Sequence, residues 1–167
     1  MHTTLKFGQV ALAVLALSGC AVFQPPSVPL AASTAQAEAI MGKPVDVVAA
    51  PGGDTVWQYP TGYYGEHTYL VTFGADRRVK AFSQALTPEN FAKIRQGMSR
   101  AEIRLLFGAP FETVTYRNLR EEVWSYRYLI PVADGRIFNV HFDAGTGLVR
   151  TTSDEFDPVY HPTGSAP

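Results

Sequence analysis

IRQGMSRAEIRLLFGAP, residues 94–110, is the stretch that decides the fold of this chain. It contains Ser99 and, three residues later, Glu102, which together form a capping box at the start of a helix. Apolar side chains then follow at helical spacing, at Ile103, Leu106 and Phe107. Gly108 suits the C-cap, and the proline two residues later cannot continue the helix. The stretch therefore predicts an amphipathic helix with one buried face.

A second helix is predicted immediately before this one. Thr87 is a favourable N-cap, Pro88 suits the first helical turn, and Glu89 favours the positive helix end. Phe91 supplies an apolar face, and Gly97 ends the helix.

Three strands are predicted after the helices. Residues 123–130 alternate with period two, so one face carries the aromatic side chains Trp124, Tyr126 and Tyr128. Residues 138–142 repeat the alternation, and a glycine-bearing turn at residues 143–147 leads to a third strand over residues 148–153. The segment therefore predicts α+β structure, with helices packed on a three-stranded antiparallel sheet.

The same arrangement is found earlier in the chain. The matching segments are Ala39–Pro44 with Leu105–Pro110, Val56–Tyr59 with Val123–Tyr126, Tyr69–Phe73 with Phe138–Phe142, and Arg78–Val79 with Leu148–Val149. Four matches in the same order indicate two tandem repeats. The predicted units are residues 33–86 and residues 87–160. Only one helix is predicted in the first unit, because a proline-rich segment takes the place of the other.

The N-terminus is predicted to be an export signal that ends in a lipid attachment site. Residues 1–19 carry one basic side chain and an apolar run that is too short to span a bilayer. The sequence LSGC, residues 17–20, resembles the bacterial lipobox, which implies cleavage before Cys20 and acylation of that residue, palmitate included. The alternative is an ordinary secretory signal in which Cys20 is a small apolar residue.

The remaining terminal segments are predicted to lie outside the folded units. Residues 20–32 contain three prolines and no charge, so we expect a lipidated cysteine followed by a semi-stiff tether. Residues 161–167 are expected to form a disordered tail. Ala21 stands where an aspartate is the familiar inner-membrane retention signal. The lipobox resemblance therefore implies a protein anchored in the cell outer membrane on its periplasmic side.

Composition excludes some partners and chemistries. The 167-residue chain has 14 Lys plus Arg against 15 Asp plus Glu, so it lacks the basic field that gathers nucleic acid. The single cysteine cannot form an internal disulfide. Three histidines follow the lipobox, widely separated, at His67, His141 and His161. Glu121 and Glu122 are strand neighbours and so face opposite sides, as do Asp154 and Glu155. We expect no enzyme activity, no metal and no cofactor.

A binding role has better support. Tyrosine and arginine are frequent at protein interfaces, and they crowd two predicted loops, at Tyr63, Tyr64, Tyr116, Arg117 and Arg120. We expect these residues to contact a partner. Two alternatives remain: the side chains belong to a solvated loop or the core, or the arginines contact anionic lipid headgroups.

The pattern I-x-x-G-M-S-x-x-E-I-x-x-x-F-G-x-P in residues 94–110, followed by Trp124-Ser-Tyr126 and Phe142-Asp143, resembles the SmpA/OmlA domain. That is the domain of BamE, a lipoprotein of the outer-membrane β-barrel assembly machinery. The resemblance covers residues 91–154, with a weaker echo over residues 35–84. It implies two BamE-like repeats here and no catalytic residues.

Three functions follow from these observations. The first is a non-catalytic scaffold or accessory module for envelope proteins, including the β-barrel assembly machinery. The second is a periplasmic inhibitor or binder of a soluble enzyme, because tandem copies of this fold also occur in the β-lactamase-inhibitor proteins. The third is a sensor of a small ligand or lipid headgroup.

Overall fold

The computed structural model describes residues 26–130 and 134–161. Cys20, the signal segment 1–19, the first part of the predicted tether and residues 162–167 of the predicted tail lie outside the described residues. In the first half of the chain the elements are α1 (Thr34–Met41), β1 (Asp46–Ala49), β2 (Thr55–Thr61), β3 (His67–Phe73) and β4 (Val79–Gln84).

The second half has the same order of elements with one more helix. Its elements are α2 (Pro88–Phe91), α3 (Arg100–Phe107), β5 (Glu112–Tyr116), β6 (Glu121–Ile130), β7 (Asp134–Asp143) and β8 (Val149–Phe156). Short 3-10 turns occupy residues 51–53 and 117–119. The strands form two antiparallel sheets, β1-β2-β3-β4 (sheet 1) and β5-β6-β7-β8 (sheet 2). The structure is therefore α+β.

Each sheet has four strands, whereas the sequence predicted three. The added strands are β1 and β5, both of which lie at a sheet edge. Strand β1 has only four residues, and in β5 only Val114 is shielded from solvent. An edge strand of this kind has no buried side of its own, so the alternation that reveals a half-buried strand is weak.

Both long helices begin and end as the sequence predicted. Ser33 with Gln36 and Ser99 with Glu102 form complete capping boxes. Gly42 and Gly108 are the C-caps of α1 and α3. Both glycines have positive φ, but their ψ values are extended, so neither lies in the left-handed helical region expected at a C-cap.

A tyrosine of each central strand fixes the helix end above it. Tyr59 of β2 donates a hydrogen bond to the carbonyl oxygen of Gly42, at 3.3 Å, and Tyr126 of β6 donates one to the carbonyl oxygen of Gly108, at 3.2 Å. Burial raises the pKa of Tyr59 to about 12. The same tyrosine-to-glycine hydrogen bond therefore occurs once in each half, in addition to the same order of elements.

The predicted tether is part of the first unit from Val28 onward. Val28 is buried, and the amide of Ala31 donates to the carbonyl of Val79, at 2.8 Å. The amide of Val79 donates back to the carbonyl of Ala32, at 2.9 Å. Because these bonds tie the segment to β4, residues 28–32 do not form the free tether that their proline content predicted.

The elements pack in four layers: α1, sheet 1, helices α2 and α3, and sheet 2. Helix α1 packs on one face of sheet 1, which we call its front. The core between them includes Ala37, Val71 and Phe73. The opposite face, the back of sheet 1, supplies Val56 and Leu70 to a larger core with α3 and one face of sheet 2. We call this helix-covered face the front of sheet 2 and its other face the back. The aromatic face predicted for β6 lies in this core, at Trp124, Tyr126 and Tyr128. Sheet 1 is thus covered on both faces.

Candidate binding surfaces

The predicted binding residues lie at opposite ends of sheet 2. Tyr116 pairs with Glu121 at the start of β6. The carbonyl oxygen of Tyr64 accepts a hydrogen bond from Arg127, six residues further along the same strand, at 3.1 Å. Six strand residues span about 20 Å. The structure therefore brings Tyr63 and Tyr64 together, and Tyr116 together with Arg117 and Arg120, but it separates these two groups.

The two tyrosines of the β2–β3 loop have different environments. Tyr63 is 90% exposed, with its ring edge-on to Tyr64. Tyr64 lies against the second half of the chain, because its ring is 5.6 Å from the Arg127 guanidinium and 5.9 Å from the ring of Tyr160. Tyr64 joins the two halves yet remains 41% exposed, so both tyrosines have surface to offer a partner and Tyr63 has the larger share.

Arg127 organises this end of the molecule. Its guanidinium forms an ion pair with Asp157, which is fully buried, and lies 4.4 Å from the ring centre of Phe111. It also binds the loop carbonyl of Tyr64. One side chain therefore connects β6, the β2–β3 loop and the segment after β8.

Glu66 and Tyr160 form a second connection beside it. Tyr160 donates a hydrogen bond to the buried carboxylate of Glu66. Burial opposes ionisation of Glu66, but hydrogen bonds from Tyr160 and from backbone amides hold its pKa below its usual value. Burial and the nearby Glu66 carboxylate raise the pKa of Tyr160 to about 12. These groups are structural partners of each other.

The β5–β6 hairpin carries the other three predicted residues. Arg117 and Arg120 are exposed, and Tyr116 is 48% exposed. Arg120 adopts a left-handed backbone conformation at the end of the 3-10 turn, and its carbonyl accepts a hydrogen bond from Ala144. The hairpin backbone is thereby fixed against the β7–β8 turn, while its side chains face solvent.

The back of sheet 2 forms a groove of about 400 Å³ beside this hairpin. His141 lies on this face and contacts Glu121 at 3.2 Å and Ser153 at 2.9 Å. His141 points to the opposite face of sheet 2 from buried Phe142. Ser125 donates to Asn139, at 2.7 Å.

The carboxylate pairs split between the two faces as expected. Glu121 faces the groove, whereas Glu122 meets Arg100 and Trp124 on the helix side. Glu155 accepts from Asn139 in the groove, whereas Asp154 accepts from Tyr128 on the helix side. Neither pair can act jointly on one substrate.

An apolar groove of about 500 Å³ lies at the other end of the layers, between α1 and residues 29–32. Leu30 and Ile40 are exposed there, at 69% and 48%. The described part of the chain begins near this groove, at residue 26.

Sequence reasoning missed the residues that join the two halves, Gln58, Glu66, Arg127 and Asp157. One signal was available in β3, HTYLVTF, where Tyr69, Leu70 and Val71 form an apolar run. A strand buried on both faces reads as a near-continuous apolar run, and residues 68–71 are indeed all buried. That run indicates that sheet 1 is covered on two sides.

Two general features complete the description. In residues 26–130 and 134–161, no group of three His, Cys, Asp or Glu side chains is placed to hold a metal ion. Over the same residues, no helix combines the length and apolar character that crossing a bilayer requires.

No protein-family model matches this chain, and no curated protein matches it. A crystal structure of a protein from Streptococcus mutans, provisionally named a β-lactamase inhibitor protein, shares 13% identity with it over 74% of this chain and 82% of that one, with a TM-score of 0.31. An extracellular SCP-domain protein from Bacillus anthracis shares 14% identity over 93% of this chain and 50% of that one, with a TM-score of 0.30. Similarity at this level does not identify a function.

Proposed function

We propose that this protein is a non-catalytic, lipid-anchored outer-membrane lipoprotein on the periplasmic side, with BamE-like repeats that form a protein-binding scaffold. In this proposal it is an accessory module for outer-membrane β-barrel protein assembly and envelope integrity. The lipobox at residues 17–20 and the resemblance of residues 91–154 to the SmpA/OmlA domain support it.

The observation that carries the binding role is the position of the exposed hairpin. Tyr116, Arg117 and Arg120 lie at the sheet 2 end of the four layers, whereas the described part of the chain begins at the α1 end. An anchor at one end leaves the other end free for partners. Anchoring also confines the module to the membrane and raises its effective concentration near membrane-bound partners.

Lipid labelling of the full chain tests the anchor. We expect wild-type protein to incorporate labelled palmitate and to fractionate with the outer membrane. Cys20→Ala should leave an unlabelled, uncleaved precursor. Continued processing and outer-membrane fractionation of Cys20→Ala would overturn the lipoprotein assignment.

Photocrosslinking in intact cells tests the partner. Photoreactive residues at Tyr63, Tyr116 or Arg120 sample both predicted loops, and the same residue at exposed Glu89 on α2 is a matched control. The proposal expects capture of β-barrel assembly components from the three sites but not from the control. Capture of one soluble enzyme instead would indicate the inhibitor function, and lipid without protein would indicate the sensor.

A further inference from the structure

The back of sheet 1 holds the end of helix α3 through a buried side chain. Gln58, in the middle of β2, is 1% exposed. Its Nε2 donates to the carbonyl oxygen of Arg104, and its Oε1 accepts from the amide of Ala109, both at 3.2 Å. The carbonyl oxygen of Arg104 also accepts from the C-cap amide of Gly108, at 2.9 Å. Gln58 therefore adds a second hydrogen bond at the helix end and binds the first amide beyond it.

A charge pair and a glycine complete this contact. Asp46 of β1 binds the guanidinium of Arg104, at 2.6 Å. Gly108 packs closely on the sheet, because a Cβ there would lie 3.1 Å from Thr68 and 3.2 Å from Gln58. The back of sheet 1 thus accepts a helix end with an arginine four residues before a closely packed glycine.

Sheet 2 repeats the strand register of sheet 1. In sheet 1, Asp46 pairs with Gln58 and Gln58 with Leu70. In sheet 2, Glu112 pairs with Ser125 and Ser125 with Asn139. The valines beside them also correspond, since Val48 pairs with Val56 and Val114 with Val123. Asp46 and Gln58, which bind α3 on sheet 1, therefore have counterparts on the back of sheet 2.

These counterparts line an open groove. Glu112, the counterpart of Asp46, is exposed, and no helix of the described chain covers the groove. At the counterparts of Gln58 and Leu70, Ser125 donates to the Oδ1 of Asn139, and the Nδ2 of Asn139 donates to Glu155, so the floor of the groove is polar. Tyr116 and Leu119 form an exposed apolar border, at 48% and 62%.

We propose that the back of sheet 2 docks the C-terminal turn of a helix from a partner protein, with an arginine or lysine four residues before the glycine that ends it. The basic residue pairs with Glu112, and the helix end lies over Ser125 and Asn139. This inference rests on the proposed function only in taking the partner to be a protein.

Charge favours a basic helix end here. The groove is lined by three carboxylates, Glu112, Glu121 and Glu155, and by the titratable side chains of His141 and Tyr116. Of the nearby cations, Arg127 is held by Asp157 and Arg150 by Asp143. Arg117 and Arg120 are exposed on the hairpin beside the groove but do not line it. Negative charge facing an approaching helix selects a positive side chain and disfavours an acidic one.

The test uses a labelled peptide with the sequence of residues 99–110, the helix end that sheet 1 already holds. A covalent staple replaces Ile103 and Phe107, which face the front of sheet 2 in the fold, and keeps this short peptide helical. Fluorescence anisotropy against the full-length protein in detergent should show saturable binding. Glu112→Arg in the protein should raise the Kd at least tenfold.

A charge exchange makes the test specific. A peptide carrying Arg104→Glu should bind wild-type protein at least tenfold more weakly and regain affinity for the Glu112→Arg protein. Glu89→Arg on exposed α2 introduces the same charge change away from the groove and should leave the Kd unchanged. Absence of saturable binding, or binding insensitive to Glu112→Arg, would overturn the proposal. Neither result would affect lipid labelling at Cys20, so the anchored scaffold is tested separately.

Discussion

Ala31 and Gly97 occupy the same position in the two halves of the chain, and both have positive φ, at 61° and 87°. The amide of Ala31 donates to Val79, and the amide of Gly97 donates to its counterpart Val149. Each precedes a capping box by two residues. The first half therefore keeps the helix-to-sheet connection of the second, with a side chain where glycine is preferred.

This relationship predicts opposite effects of exchanging the two residues. A non-glycine residue in the left-handed region costs about 1–2 kcal/mol, part of which is offset by the greater freedom of an unfolded glycine. Ala31→Gly should therefore stabilise the protein by about 0.5–1 kcal/mol. Gly97→Ala should destabilise it by about 1 kcal/mol, because nothing lies within 4 Å of the added Cβ and only backbone strain is introduced. Urea denaturation of the full chain measures both changes in the free energy of unfolding. If the two changes had the same sign, Ala31 and Gly97 would not be equivalent positions.

Trp124→Ala should remove a central part of the core of the second half. Trp124 is 9% exposed, and its ring lies 4.9 Å from that of Phe142. A large truncation of this kind costs about 3–5 kcal/mol, which is enough to unfold a marginal domain. Thermal unfolding should show a strongly lowered Tm. Tyr63→Ala, at a residue that is 90% exposed, is the control and should change little. An unchanged Tm for Trp124→Ala would contradict the strand register.

Arg127→Ala should be costly because it leaves a buried charge without its partner. Asp157 has no exposed side-chain surface and pairs with Arg127. Breaking a buried ion pair costs about 3–5 kcal/mol. Arg150→Ala breaks the more exposed pair with Asp143 and a hydrogen bond to the carbonyl of Leu119, and it should cost less than Arg127→Ala. Equal effects of the two variants on the free energy of unfolding would show that Arg127 does not hold the two halves together.

The free energy of unfolding should fall in the acid range because of Glu66. Burial opposes its ionisation, but hydrogen bonds from Tyr160 and backbone amides lower its pKa in the folded state. A lowered carboxylate pKa stabilises the fold above the unfolded-state pKa, and this contribution is lost as pH falls through the folded-state pKa. Glu66→Gln should therefore weaken folding more at pH 7 than at pH 3. Urea titrations at both values, with exposed Glu89→Gln as control, measure this difference, and a pH-independent effect would count against it.

Local signals were enough to predict the caps of α1 and α3 and the central strands, whereas α2 ends at Phe91 and not at the predicted Gly97. The capping boxes at Ser33 and Ser99, and the aromatic alternation of β6, depend on residues close in sequence. The residues predicted to bind a partner do not form one cluster, because one group lies beside each end of β6. Gln58 bonds a residue that is 46 positions away in the chain, and Arg127 bonds one that is 63 positions away. Such contacts depend on how the two halves pack, which no local pattern specifies.

The order of the four layers also bears on self-assembly. A molecule that ends in a helix layer on one side and a sheet layer on the other could add copies head to tail, and a heterologous contact that does not close forms an open filament. In α1, Glu38 stands where Arg104 stands in α3, so in such a contact it would face Glu112 of the next molecule. The two carboxylates repel each other. The acidic groove that favours a basic partner helix therefore also opposes filament growth by this protein.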